Sequence, residues 1–451
     1  MSDLVRSRPP LGGVGIGVVA VGLAISVWLR LAAVVAEFPF GDGGLFWIMA
    51  AELRHNEFVP PTTTSYNDAG IPWMYPPLGL YLLAGLGGGI DWLRLLPAVF
   101  AIGTLPAVWL LARPLAGERA AIVAVLAYGL TLAAYHGLIA GGGVTRAPGV
   151  LLALLTMWAV VTGRVGAAGV LGGLTLLIHP IAAFYAALSC AVLWATRGAS
   201  PRMLLAVPIA GLIGAAWFGP MVARHGFETL LGASGSRDFD IAENAVVLVA
   251  SILNPPNLAF SIGIVGLGLA AVRRRWDLLA WVAVTFLGVA VLDRWLVIPF
   301  AVLAGIAVDT ALERPRRLAS VALLSVTAVA AVTGVFLTEP HDVAGPDERE
   351  VTDWALSETD PDATFAVIGY NTDAAMVEWF PALTGRRNLS TWQGSEWIPG
   401  DQITPTMAVA ACEELACLPD ADYYVLRPEC CPQIEAGLRQ VGPQTFVRDD
   451  P

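Results

Sequence analysis

The residues in this chain best suited to chemistry are few and widely separated. Asp42 stands in Gly41-Asp42-Gly43-Gly44, directly before the helix-periodic stretch 45–53. A carboxylate there has two readings. It can cap the helix, because an aspartate oxygen accepts from N–H groups of the first turn that lack an intrahelical partner. It can also serve as a general base, with flanking glycines that let a substrate approach the backbone closely. Tyr75-Pro76-Pro77-Leu78 either opens a helix, since proline is tolerated in a first turn, or joins Pro60, Pro61 and Pro72 in stiffening a shaped surface. His136 to Arg146 holds Gly141-Gly142-Gly143 followed by Thr145 and Arg146. Such a run can make an anion nest of backbone N–H groups with a guanidinium clamp, or a plain hairpin with a snorkelling arginine. His179-Pro180 interrupts an apolar run, where a histidine is either an interhelical hydrogen bonder or a ligand. Arg294, in Asp293-Arg294-Trp295, either rests at the interface beside Trp295 or holds a lipid phosphate. Glu52 and His55, one helical turn apart, lack a third ligand at fitting spacing, so the residues assign no metal.

Elements that position these groups follow from composition. The 451 residues are 56% hydrophobic and 14% charged, with mean hydropathy +0.66. Soluble domains carry about 25% charged residues, so this is a polytopic α-helical membrane protein. Apolar segments that cross, or nearly cross, lie at 11–36, 93–112, 118–136, 146–162, 165–179, 180–196, 202–222, 257–272, 276–292, 295–311 and 318–338. Segment 77–90 is the exception. Its fourteen residues reach about 21 Å as a helix, against a hydrocarbon core of about 30 Å.

Arginine placement arbitrates. Arg6 and Arg8 put the N-terminus inside by the positive-inside rule. Arg113, Arg119, Arg164, Arg197, Arg202, Arg273 to Arg275 and Arg314 to Arg317 all fall inside only if 77–90 does not cross. The expectation is about eleven spans, N-terminus in and C-terminus out, in the plasma membrane. Merging 165–179 with 180–196 would repair the same parity. Against the trend, Asp42, Arg94, His136, Arg146, His179 and Arg294 then share the outer face, where misplaced charges mark function. The outer loop 37–92 is far longer than a connector needs.

A second domain is expected over 340–451, with 1–339 as the membrane domain. The net charge of −11 is concentrated there, since 340–451 holds 20 of the 37 acidic residues but 6 of the 26 basic ones. The low pI is therefore not a signal for a partner, and nucleic acid is not expected. Strands at 363–369 and 422–426 and a helix at 346–358 make it a small extracytoplasmic α/β domain. Cys412, Cys417, Cys430 and Cys431 read as two disulfides of open connectivity in that compartment. Zinc is the weaker reading, because adjacent Cys430 and Cys431 suit a tetrahedral site poorly.

The order of these features resembles the GT-C superfamily of polyprenyl-phosphate-sugar-dependent membrane glycosyltransferases, which includes protein mannosyltransferases, aminoarabinose transferases and oligosaccharyltransferases. The resemblance rests on one span, an outer loop with GDGGLF, then IPWMYPPLGLYL, Arg94 at the next span, and DRWLVIPFAVLAGIA late in the chain, and covers roughly 1–340. It implies that Asp42 is the base acting on an acceptor hydroxyl, with inversion at the anomeric carbon of a lipid-phosphate-linked sugar. Arg94, Arg146 and Arg294 would hold the phosphate, with Tyr75, His136 and His179 also binding substrate. The acceptor is left open among protein, lipid and glycan. Family members with more acidic loops differ from this one, where Gly43 and Gly44 follow Asp42, so a divalent metal is not supported. A lipid or glycan transporter or flippase with an outer accessory domain is the alternative, and the few polar residues within the spans argue against it.

Overall fold

A computed structural model of the chain describes residues 13–35, 41, 43–198, 200–230, 240–254, 257–288, 292–312, 346–369, 374–398, 400, 403–428 and 430–448. Asp42 and the expected span 318–338 lie outside the described residues.

Helix α1 is Gly13–Leu31, and the long loop after it builds α2 (Gly44–His55) and α3 (Pro77–Gly85). Glu52 welds that loop together. Its carboxylate accepts from the Thr64 and Ser65 hydroxyls, the Ser65 N–H and Trp73 Nε1, so four bonds oppose its use as a metal ligand. Pro77 opens α3 and a glycine turn ends it, with Gly87 and Gly88 at φ +109° and +68°. Nine residues reach about 13 Å, far short of the roughly 30 Å core, so α3 is too short to cross by itself.

From there α4 (Ile90–Ala116), α5 (Glu118–Gly129), α6 (His136–Ile139), α7 (Gly143–Val161), α8 (Val165–Ile178), α9 (Pro180–Arg197) and α10 (Ala206–His225) follow. The helical body closes with α11 (Ile241–Leu253), α12 (Leu258–Val272), α13 (Trp276–Gly288) and α14 (Leu292–Ala311). Among the described residues five helices are long and apolar enough to cross a membrane, or up to seven if each of two bent pairs is one span. Extended His179 separates α8 from α9, so the two are not one merged helix. No element was expected between 222 and 257, and α11 fills part of that gap. Only thirteen residues long, with Glu243 and Asn244 in its first turns, it is too short and polar to read as a span.

The expected continuous span 118–136 is instead broken, with a 90° bend between Glu118–Gly129 and Leu132–Ile139. Polar groups from distant helices hold the break. Arg30, fully buried, donates to Gly129 O at 2.9 Å and Ala101 O at 3.1 Å. Asn257 Oδ1 accepts from Ala133 N at 3.2 Å, and the Thr131 hydroxyl accepts from Ala259 N at 2.8 Å. Buried backbone groups must be paired, and the contacts to Gly129 O and Ala133 N pair groups at the bend itself.

The two ends of the helical body differ. Arg197 and Arg275 converge on Asp277 at 3.0 and 2.9 Å, and also donate to Pro114 O and Leu115 O at the far end of α4. The opposite end carries the long loop, and there the C-terminal unit docks. That unit holds α15 (Pro346–Glu358), α16 (Ala374–Thr384) and a five-stranded sheet ordered β2-β1-β3-β5-β4, with β1 (Thr364–Ile368), β2 (Arg387–Asn388), β3 (Tyr423–Leu426), β4 (Arg439–Gly442) and β5 (Thr445–Val447). Strand β1 runs parallel to β2 and β3, while β5 is antiparallel to β3 and β4. Val351, Phe365, Val367, Phe380 and Val425 make its core. The helix at 346–358 and both strands lie where the sequence puts them.

Cys412 pairs with Cys417, and Cys430 with its neighbour Cys431, which leaves Cys190 as the reduced cysteine. Alkylation of denatured, unreduced protein is therefore expected to label one thiol, rising to five after reduction. Mass spectrometry reads the count, and five labels before reduction would contradict both bridges.

Candidate functional site

The turn Gly41–Gly44 is clasped between two other parts of the chain. On one side lies α16 of the C-terminal unit. Trp379 Nε1 donates to Gly41 O at 3.1 Å, and a Cβ at position 43 would stand 2.8 Å from Cζ2 of that indole. The carbonyl of Glu378 lies against Gly44 where a Cβ would be. On the other side is the 140–142 segment, since a Cβ at 43 would be 3.2 Å from Cα of Gly141, and one at 41 would be 3.4 Å from Cβ of Ala140. The glycines around position 42 are thus explained by close packing of this chain on itself.

Gly43 is the N-cap of α2, and it offers no side chain to the helix. Gln393 of the C-terminal unit substitutes, its Oε1 accepting from Leu45 N at 3.4 Å. More bonds lock the same junction. Tyr66 Oη donates to Glu378 O at 2.6 Å and to its carboxylate at 3.1 Å, and that buried carboxylate also accepts from Trp392 N and Gln393 N. The Asn67 amide makes paired bonds with the backbone of Asn388, donating at 2.9 Å and accepting at 2.5 Å. Asn67 adopts φ +61° to do so, a conformation that asparagine tolerates better than most residues.

The 136–146 connector gathers the predicted cations. Arg146 Nη1 donates to Gly137 O at 3.2 Å. The guanidinium of Arg294, at the start of α14, lies against Cα of Gly137, where any side chain would collide with it. His136 opens the same short helix α6 and is exposed. One turn beyond Arg146, Gly149 abuts His179, with a Cβ there 2.7 Å from that of the histidine. His179 Nδ1 accepts from Ala182 N at 3.1 Å, capping α9, and its ring stands 6.4 Å from that of Trp295. With Nδ1 accepting, a neutral ring carries its proton on Nε2. His136, Arg146, His179 and Arg294, drawn from four elements, therefore form one neighbourhood beside the Gly41–Gly44 turn.

Arg94 adjoins this group less directly. It forms an ion pair with Asp91, and Pro97, one turn along α4, packs on Gly143. The Tyr75 hydroxyl bonds Glu396, and its ring contacts Phe46 and Trp397 at 5.4 and 5.2 Å. Sequence reasoning missed Glu378, Trp379 and Gln393 as neighbours of the turn. The available signal was Glu378 itself, a lone carboxylate inside the apolar run 374–383. A polar groove of about 600 Å³ opens at the other end of α2, lined by Glu52, His55, Thr63, Ser65 and Asp68 among others. Among the described residues no three His, Cys, Asp or Glu side chains are grouped to hold a metal.

No family model matches the chain, and no curated protein does. Solved structures do. The crystal structure of ArnT from Cupriavidus metallidurans in the apo state superposes with a TM-score of 0.61 over 96% of this chain and 97% of that one, at 16% identity. The same protein bound to undecaprenyl phosphate gives 0.60 over the same shares, also at 16% identity. The archaeal oligosaccharyltransferase AglB from Archaeoglobus fulgidus, in complex with an inhibitory peptide and a dolichol-phosphate, gives 0.55 over 83% of this chain at 15% identity. This chain spans 64% of the length of that oligosaccharyltransferase. At such identities the likeness is one of fold.

Proposed function

We propose that this chain, which has the fold of the GT-C glycosyltransferases, moves a sugar from a polyprenyl-phosphate carrier to a hydroxyl acceptor. The acceptor oxygen attacks the anomeric carbon from the face opposite the phosphate. As that bond forms, the bond from carbon to phosphate oxygen breaks, its electron pair leaves with the lipid phosphate, and the configuration inverts. Asp42 takes the acceptor proton, which gives the oxygen its nucleophilicity. Arg146 and Arg294 bind the phosphate and offset the charge that grows on it, with hydrogen bonds stronger than those of neutral donors. Arg94 supports the same end, and no step is assigned to a metal.

One observation carries this reading, the convergence of two guanidinium groups on Gly137 beside the turn that flanks position 42. Topology supports it. The long loop and the C-terminal unit occupy one end of the helical body, and Arg197 and Arg275 gather at the other. That arginine-rich end is assigned to the cytoplasm, which makes the loop end and the C-terminal unit extracytoplasmic in a plasma-membrane protein of about eleven spans. A lipid-phosphate headgroup would sit at that interface with its tail in hydrocarbon.

Undecaprenyl phosphate is the probe. In detergent, Arg146→Gln and Arg294→Gln are each expected to weaken its binding about tenfold, the worth of one charged hydrogen bond. Arg164→Gln is the control, since that side chain stacks on Trp158 at the far end of α7. Wild-type affinity in the Arg146 and Arg294 double variant would sink the assignment.

A further inference from the structure

Arg30 stands one residue before the end of α1, where an arginine ordinarily turns its head out to the interface. It turns inward instead. The side chain is fully buried, and no carboxylate pairs with it among the described residues. A charge kept inside a helical bundle is costly and by default functional. Carbonyls and rings hold this one. Nη1 donates to Ser26 O at 2.8 Å, one turn back in α1, and to Gly129 O at 2.9 Å. Nε donates to Ala101 O of α4 at 3.1 Å. The guanidinium lies 5.1 Å from the centre of the Tyr135 ring and 5.9 Å from that of Tyr128, and such contacts are worth most where water is excluded.

These contacts grip both sides of the bend. Gly129 is the last residue of α5, so its carbonyl is at the end of the helix that favours a cation. A Cβ there would stand 2.9 Å from Cβ of Ser26, so glycine is what lets α1 come this close. Tyr135, beyond the bend, is the N-cap of α6, and its carbonyl accepts from Leu138 N at 2.8 Å and Ile139 N at 3.1 Å. Two residues on is Gly137, which accepts from Arg146 and lies against the guanidinium of Arg294. We infer that Arg30 is a positioning residue for the lipid phosphate. By holding Gly129 and Tyr135 at once it fixes α6 against α5, and so fixes the point at which Arg146 and Arg294 meet. The inference rests on the glycosyl-transfer reading and extends it to a residue outside the clamp. Lysine is a poor substitute, because a single ammonium lacks the planar fork that reaches two carbonyls while stacking on a ring.

Full-length protein in detergent is titrated with undecaprenyl phosphate and with undecaprenol, which share the chain and differ in the phosphate. Wild type is expected to prefer the phosphate-bearing lipid. Arg30→Lys keeps the charge and loses the fork, while Tyr135→Leu keeps apolar bulk and removes the ring from the guanidinium. Each is expected to lower the preference about tenfold, and Tyr135→Leu carries the test alone if Arg30→Lys does not fold. Leu278→Ala is the control, since that buried residue adjoins Asp277 at the opposite end of the helical body. It should lower Tm and leave the preference unchanged, because loss of folded protein weakens both lipids alike. Added to the Arg146 and Arg294 double variant, Tyr135→Leu should cost less than twofold further, the non-additivity expected of groups acting through one another. A preference within twofold of wild type in Tyr135→Leu overturns the inference, as does a full further tenfold loss on top of the double variant. Wild type that binds both lipids equally would instead sink the phosphate clamp itself, and with it the glycosyl-transfer reading.

Discussion

Asp42→Asn is expected to reduce sugar transfer about a thousandfold, within the 10²–10⁴ range of general-base catalysis. The substitution keeps the size of the side chain and removes its ability to take a proton. It should cost little stability, because asparagine serves at a helix N-terminus about as well as aspartate does. An unfolding midpoint within a degree or two of wild type is expected. Affinity for undecaprenyl phosphate should also stay within about twofold, because the two guanidinium groups at Gly137 are untouched. A variant that still turns over at the wild-type rate would assign the proton to another group.

Local pattern made much of this molecule legible in its sequence. Alternation and helical period placed β1, β3 and α15. The proline at 77 and the glycines at 87–89 delimited α3, and arginine placement argued against a crossing there. Arginine bookkeeping picked out Arg146 and Arg294 as cations on the wrong face, and the structure brings both to Gly137. What the sequence hid are pairings between distant residues. The 90° break after Gly129 depends on Arg30 and Asn257, which no window around 130 contains. His179, read as a ligand or an interhelical hydrogen bonder, also caps its own helix. The glycines at 43 and 44 looked like room for a substrate, yet helix α16 occupies that room from more than 330 positions away. A glycine records that something approaches, without naming what does.

That close approach sets up the second large effect. At position 44 a methyl group would meet the carbonyl of Glu378, which is helix backbone and cannot swing aside. Gly44→Ala must therefore separate α16 from the turn, with overpacking costs of about 1–3 kcal/mol. The separation would also loosen the Trp379 bond to Gly41 O and the Gln393 cap on Leu45, both made across the same surface. Displacing a reacting group by about 1 Å can cost a hundredfold in rate, so transfer by Gly44→Ala is expected to fall about a hundredfold. Gly85→Ala is the matched control, because nothing lies within 4 Å of a Cβ there. Trp379→Phe is the gentler companion, since it retains an aromatic ring while losing the Nε1 bond to Gly41 O and part of the buried indole surface. Its kcat should drop about tenfold, the worth of about 1.4 kcal/mol, with KM for the lipid-linked sugar unchanged, whereas general destabilisation would move Tm and leave kcat per folded molecule alone. The contrast decides what the C-terminal unit is for. If Gly44→Ala transfers sugar at the wild-type rate, the unit is an appendage. If both variants lose kcat while still binding undecaprenyl phosphate, the turn around position 42 is held in register by a helix from the other end of the chain.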